Sequence, residues 1–121
     1  MNILIVEDDR LLTKALSVGL TNAGHIVYTA ENGSLANDIV SDNKVDFVIC
    51  DLMMPVLDGA TFLSLLRSFH NSGVPIVVMS TLNNAESILK NLNIEFSIFF
   101  PKPFIIDELL NFVEQFNTKK N

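Results

Sequence analysis

The chain has a single cysteine, Cys50, in 121 residues, so no disulfide can form within it. Cys50 lies in the most apolar segment, where a small buried side chain packing in a reducing compartment is its expected role. No apolar run approaches the ~18 residues of a membrane span. There is also no linker, internal repeat or low-complexity stretch. Positive charge is scarce: eight basic residues face fourteen acidic ones, for a net charge of −6. Nucleic-acid binding through phosphates needs a basic face, so this balance argues against it. Acidic residues arrive at Glu7-Asp8-Asp9 after only four apolar positions, too few for the core of a signal peptide. What remains is 49% hydrophobic and 18% charged, a globular composition. At this length a chain buries roughly two thirds of its unfolded surface. The expectation is one acidic cytoplasmic domain over residues 1–121, with 117–121 a polar tail.

The apolar pattern alternates between two periods. Short β-rich runs occur at 3–6, 26–30, 45–50, 74–79 and 96–100. Between them, apolar residues recur at helical spacing. Leu12, Ala15, Leu16, Gly19, Leu20 and Ala23 form the first such set, closed by Gly24 as a helix C′ residue. Leu35, Ala36, Ile39 and Val40 form the second, and Phe62, Leu63, Leu66 and Phe69 the third. Ala85, Ile88, Leu89 and Leu92 form the fourth. The last helix is expected from Ile105 to Phe116. Strict strand–helix alternation implies right-handed crossovers and an α/β, doubly wound parallel sheet with five helices on two faces. For five strands the flavodoxin-like order 2-1-3-4-5 is the expected arrangement.

The third strand ends abruptly on Asp51, ahead of Leu52-Met53-Met54-Pro55. The first ends on Glu7-Asp8, the fourth on Ser80, and the fifth just before Lys102. In a parallel sheet these ends share one rim, where ligands and chemistry are found. Carboxylates gathered there repel: at ~5 Å and an effective dielectric of 20, each like pair costs about 3 kcal/mol. A cation relieves that cost, and an all-oxygen set without histidine or cysteine suits Mg²⁺ or Mn²⁺. Mg²⁺ typically completes its shell with waters and a phosphate. Lys102 can then place a point charge on a phosphoryl oxygen, and Ser80 can donate a hydroxyl to another. Singly, each residue has a plainer reading: Ser80 and Asp8-Asp9 as helix caps, Lys102 as a solvated lysine. Together they form the parts of phosphoryl transfer to a carboxylate.

Ile3 to Asp9, Asp51 to Gly59, Ser80 and Lys102-Pro103-Phe104 together resemble the receiver domain of two-component response regulators, over essentially the whole chain. The resemblance implies that Asp51 accepts a phosphoryl group from the phosphohistidine of a histidine kinase or histidine phosphotransfer protein. It implies Mg²⁺ held by Asp8 directly, by Glu7 through water, by Asp51, and by the backbone carbonyl of Met53. Ser80 would follow the phosphoryl group and Lys102 would pair with it. Phe99 matches the aromatic switch position, Gly59 a turn glycine, and Lys102–Pro103 a peptide bond that is typically cis. The face of the fourth helix, fifth strand and last helix would serve a homodimer or an output partner. Catalysis would extend only to the domain's own phosphorylation and slow self-dephosphorylation, so it is not an enzyme on external substrates.

Departures from the family pattern bear on detail. Phe99 lacks the commoner tyrosine hydroxyl, Thr81 replaces a smaller residue, and Pro101 directly precedes Lys102. Met53 and Leu82 put apolar chains where some relatives orient a hydrolytic water. Ile105, Ile106, Leu109, Leu110, Phe112, Val113 and Phe116 form a stripe too broad for one packing face, which suggests a partner patch. His25 and His70 stand apart, in expected turn or surface roles. Two alternatives remain: a degenerate receiver acting without phosphorylation, and a small-molecule phosphohydrolase using an aspartyl-phosphate. The second usually needs another carboxylate two residues after the nucleophile, where this chain has Met53. A flavin site is excluded by the acidic first loop.

Overall fold

The computed structural model describes residues 1–54 and 58–120, with side chains to residue 117. The loop positions Pro55, Val56 and Leu57, and Asn121 of the expected tail, lie outside the described residues. Five strands, β1 (Asn2–Val6), β2 (Ile26–Ala30), β3 (Phe47–Asp51), β4 (Ile76–Ser80) and β5 (Ile98–Pro101), alternate with five helices. These are α1 (Arg10–Asn22), α2 (Gly33–Asp42), α3 (Gly59–Ser68), α4 (Ala85–Asn91) and α5 (Ile106–Lys120). The sheet is wholly parallel, in the order β2-β1-β3-β4-β5.

Period-two alternation within each strand divides the core between two faces. Leu4, Val6, Val48, Cys50, Ile76 and Val78 meet Ala36 of α2, Phe62, Leu63 and Leu66 of α3, and Ala85 and Leu89 of α4. Ile3, Ile5, Phe47, Ile49, Val77 and Met79 meet Leu16 and Leu20 of α1, and Leu109 and Val113 of α5. β3 and β4 are buried along their whole length, as strands covered on both faces must be.

Local chemistry sets the helix starts. Asp9 caps α1 by accepting from the Leu11 and Leu12 amides, Asn32 caps α2 through Leu35, and Asp58 caps α3 through Thr61. Gly24 follows α1 at φ +96°, a conformation that side-chain-bearing residues rarely take.

The structure departs from the sequence reading at several element ends. α5 continues through residues 117–120, which contain no glycine or proline to stop it. β5 begins at Ile98 rather than Phe96 and takes in Pro101 at the sheet's edge, where a missing amide donor is tolerated. Phe69, Leu35 and Leu92 are exposed, because each stands at a helix end beyond its neighbours' cover. The broad α5 stripe is explained by packing rather than by a free patch. Phe112 meets Phe116 and Phe100 edge to face, Phe116 meets Phe47 in the same way, and Leu110 lies against Gly19 of α1. Of that stripe, Ile105 remains strongly exposed. His25 is buried rather than at the surface: Nδ1 lies 3.1 Å from the Met1 amine and Nε2 2.6 Å from Glu114 Oε1 on α5. His70 joins α3 to α2 through Asn37 at 2.6 Å. Among the described residues, no helix is long and apolar enough to cross a membrane.

Candidate functional site

Strand register assembles the rim. Val6 pairs with Cys50, so the next residues, Glu7 and Asp51, leave the sheet side by side. Ser80 pairs with Pro101, which places Lys102 one step beyond the end of β4. The Lys102 amide donates to the Ser80 carbonyl at 2.9 Å, and the Lys102–Pro103 peptide bond is cis. From there the lysine stem reaches back across the sheet. Its Nζ donates to Glu7 Oε1 at 2.5 Å and to Asp51 Oδ2 at 2.9 Å. One ammonium thus bridges carboxylates from two central strands.

Both carboxylates are nearly inaccessible, Glu7 at 3% and Asp51 at 5% exposure. Asp51 Oδ1 accepts from the Met53 amide at 3.0 Å, which fixes the plane of its carboxylate. Glu7 Oε2 accepts from the Asp9 amide at 3.0 Å. Gly59 closes the other side of the loop: its amide donates to the Leu52 carbonyl, and a Cβ there would collide with the Asp51 carbonyl. This is a glycine required by close backbone approach. Asp8 is exposed, and one carboxylate oxygen from each of Glu7, Asp8 and Asp51 lies within 4.8 Å of the others.

Charge is costly in this corner. Burial pushes the Glu7 carboxyl up to about 7, assisted by the neighbouring Asp51 and Asp8, although the bonds from Lys102 and the Asp9 amide pull it down. For Lys102 burial opposes the charge, but its bonds to Glu7 and Asp51 prevail and raise its pKa. Burial, then the charges of Asp51 and Glu7, push the Cys50 thiol far up, which makes it an unreactive packing group.

The structure brings Glu7, Asp8, Asp51 and Lys102 together. Ser80 is fully buried at the end of β4, and its Oγ accepts from the Leu82 amide at 3.0 Å, leaving the hydroxyl proton available to another acceptor. The Met53 backbone is engaged with Asp51 while its side chain is exposed. Phe99 is half-buried against the α2–α3–α4 side of the core. An open groove of about 380 Å³ is lined by Lys102 together with Asp9, Leu12, Thr81, Pro103, Phe104 and Ile106. The donor set is all carboxylate oxygen, already neutralised in part by an ammonium, and so suits a hard divalent ion such as Mg²⁺. Sequence reasoning did not find that Lys102 holds Glu7 as well as Asp51. The signal available was the register, which sets Glu7 level with Asp51.

Residues 3–114 match the family model described as the response regulator receiver domain. The transcriptional regulatory protein CusR of Escherichia coli (strain K12) is 36% identical over 110 residues, covering 91% of this chain and 48% of CusR. The response regulator MprA of Mycobacterium sp. (strain KMS) is 34% identical over 110 residues, covering 91% and 47%. The chain thus spans about half the length of these relatives. Among solved structures, the Francisella response regulator 1452 receiver domain superposes with a TM-score of 0.86 at 28% identity, covering 99% of this chain and 98% of that one. The Vibrio cholerae chemotaxis protein CheY4 gives 0.83 at 26%, covering 94% and 96%.

Proposed function

The chain belongs to the response regulator receiver domain family, and we propose that Asp51 is its phospho-acceptor. The donor is the phosphohistidine of a histidine kinase or histidine phosphotransfer protein. An Asp51 carboxylate oxygen attacks phosphorus, the phosphorus–nitrogen bond breaks, and its electron pair returns to the imidazole. The Met53 amide holds the carboxylate in place through Oδ1. The Lys102 ammonium moves from its carboxylate partners to the incoming phosphoryl oxygens, which carry more charge. The Ser80 hydroxyl donates its free proton to another of those oxygens. When bound, Mg²⁺ held by Glu7, Asp8, Asp51 and the Met53 carbonyl supplies charge neutralisation for the transferring group.

The observation that carries this reading is the lysine from the end of β5 bonded to Asp51 at the end of β3 and to Glu7 beyond β1. The phosphoryl group then shifts a two-state equilibrium of the β5, α4 and α5 region, with Phe99 moving by packing alone, to control a homodimer or an output partner. The transcriptional role in the name of CusR points to an output at DNA. With a net charge of −6, this domain reaches that output through a partner or a further domain in the cytoplasm. The test is incubation with acetyl phosphate and Mg²⁺ followed by intact-mass measurement. A single phosphoryl adduct is expected on the wild type and none on Asp51→Asn. An adduct that persists in the variant refutes the assignment.

A further inference from the structure

Peroxides act on proteins first at sulfur, and this chain carries sulfur in four methionines and in Cys50. Most of that sulfur is covered. Cys50 and Met79 are fully buried, in β3 and β4, one on each face of the sheet. Met54 is half-buried against the α2–α3–α4 side of the core, and Met1 against the α1–α5 side. Burial, then the charges of Asp51 and Glu7, also keep Cys50 as the thiol, the form that does not react. Among the described residues, Met53 is the one sulfur-bearing side chain open to solvent, at 57% exposure.

That side chain stands beside the site. Met53 follows Asp51 by two residues, and its amide donates to Asp51 Oδ1 at 3.0 Å, which ties its backbone to the carboxylate that takes the phosphoryl group. Leu82 is tied to the same rim, its amide donating to Ser80 Oγ at 3.0 Å. Neither side chain offers a good acceptor to a water approaching phosphorus, because leucine has none and a thioether is a weak one. Oxidation changes this for methionine alone: a sulfoxide is polar, and its oxygen accepts hydrogen bonds well. An unbranched chain with three rotatable bonds lets that oxygen reach over the neighbouring carboxylate.

We propose that Met53 is a reversible oxidation site, and that its sulfoxide shortens the life of the phosphoryl group on Asp51. The Met53 sulfur attacks one oxygen of hydrogen peroxide and the oxygen–oxygen bond breaks. The proton left on the transferred oxygen passes to the departing hydroxide, giving water. Sulfur is oxidised by two electrons and the peroxide is reduced by two. A methionine sulfoxide reductase, drawing on a thiol, removes the oxygen again as water. While oxidised, the side chain holds a water next to phosphorus. That water attacks, the phosphorus–oxygen bond to Asp51 breaks with its electron pair returning to the carboxylate, and inorganic phosphate leaves. The effect on lifetime rests on the phospho-acceptor reading, whereas the oxidation site does not.

The test is limited hydrogen peroxide on the full chain with peptide mapping by mass, then acetyl phosphate and Mg²⁺ with decay of the adduct followed by intact mass. The first oxygen should fall on Met53 before Met1, Met54 or Met79; comparable rates at any of these overturn the site. The oxidised protein should lose its phosphoryl group roughly 3- to 10-fold faster than the untreated one, the range that one ordinary hydrogen bond supplies. In Met53→Leu, peroxide should leave the decay as it was before treatment. Met53→Gln, which carries a carbonyl acceptor on a side chain of similar length, should decay faster than Met53→Leu without peroxide. Unchanged or slower decay after oxidation, equal acceleration in Met53→Leu, or equal decay of the two variants overturns the proposal. If the untreated protein takes no adduct, the phospho-acceptor reading fails and the lifetime effect with it, while the mapping still decides the oxidation site.

Discussion

Stability of the unmodified, magnesium-free domain should fall as pH rises from about 5 to about 8, and Glu7 should be the cause. In the unfolded chain a glutamate loses its proton near 4.5; in the fold, burial moves Glu7 up to about 7. Between those values the folded state holds a proton that the unfolded state has released. Stability therefore declines across that window and stays low above it. At about 1.4 kcal/mol for each tenfold change in proton affinity, the loss approaches about 3 kcal/mol. Lys102 remains charged throughout, since its pKa is raised rather than lowered, and contributes no slope there. The assay is urea unfolding by circular dichroism in chelator at pH 5 and pH 8, for the wild type and Glu7→Gln. The wild type should lose about 3 kcal/mol more than the variant, and Mg²⁺ at pH 8 should restore part of it by binding the charged form. Identical pH responses of the two proteins, or a wild type that gains stability toward pH 8, would refute the reasoning.

Lys102→Met leaves Glu7 and Asp51 facing each other without their shared cation, with oxygens within 4.8 Å. At a dielectric of 20 that repulsion is about 3 kcal/mol, an upper bound because without the Lys102 bond the Glu7 carboxyl rises further and takes up a proton; urea unfolding should show a loss of up to that order at pH 8 and a smaller one at pH 5. Gly59→Ala drives a Cβ into the Asp51 carbonyl, backbone against backbone, and should cost at least about 2 kcal/mol in thermal unfolding. An unchanged melting temperature there would show that the loop yields freely. The phosphoryl group should leave slowly, because Met53 and Leu82 offer no side-chain donor or acceptor to a hydrolytic water. Phosphate release should quicken in Met53→Asn, and a short-lived wild-type adduct would count against the idea.

The fold was legible because its two periods are clean. Leu16 and Leu20 of α1 recur at helical spacing, and the buried runs of β3 and β4 are apolar at every position but their closing Asp51 and Ser80. Alternation then fixed the connection type, and so the shared rim. The misplaced residues have a common cause. Periodicity tells which face of a helix a residue occupies, but not whether a neighbouring element extends far enough to cover it. Phe69, Leu35 and Leu92 each stand at an end where cover runs out. The α5 stripe fails in the opposite sense: its breadth is consumed by α1 and by the phenylalanines of β3 and β5, partners that no reading of one helix can supply.

The site was more legible than the surface because its members sit at strand ends. A strand end is located by backbone register, which a hydrophobic pattern reveals, whereas a side chain's partner depends on rotamers and reach, which it does not. Asp51, Ser80 and Lys102 could therefore be placed on one rim from the sequence, while the bridge from Lys102 to Glu7 could not. Arg67 lies further beyond reach. Its acceptors are main-chain carbonyls of Ser72, Val74 and Glu95, and a carbonyl carries no residue identity. Its sequence position shows only a lone basic residue closing an apolar helix, which the dipole of any helix end would accommodate. The chemistry of this domain is thus written in residue types at strand ends, while its mechanical ties run through backbone groups that every sequence shares.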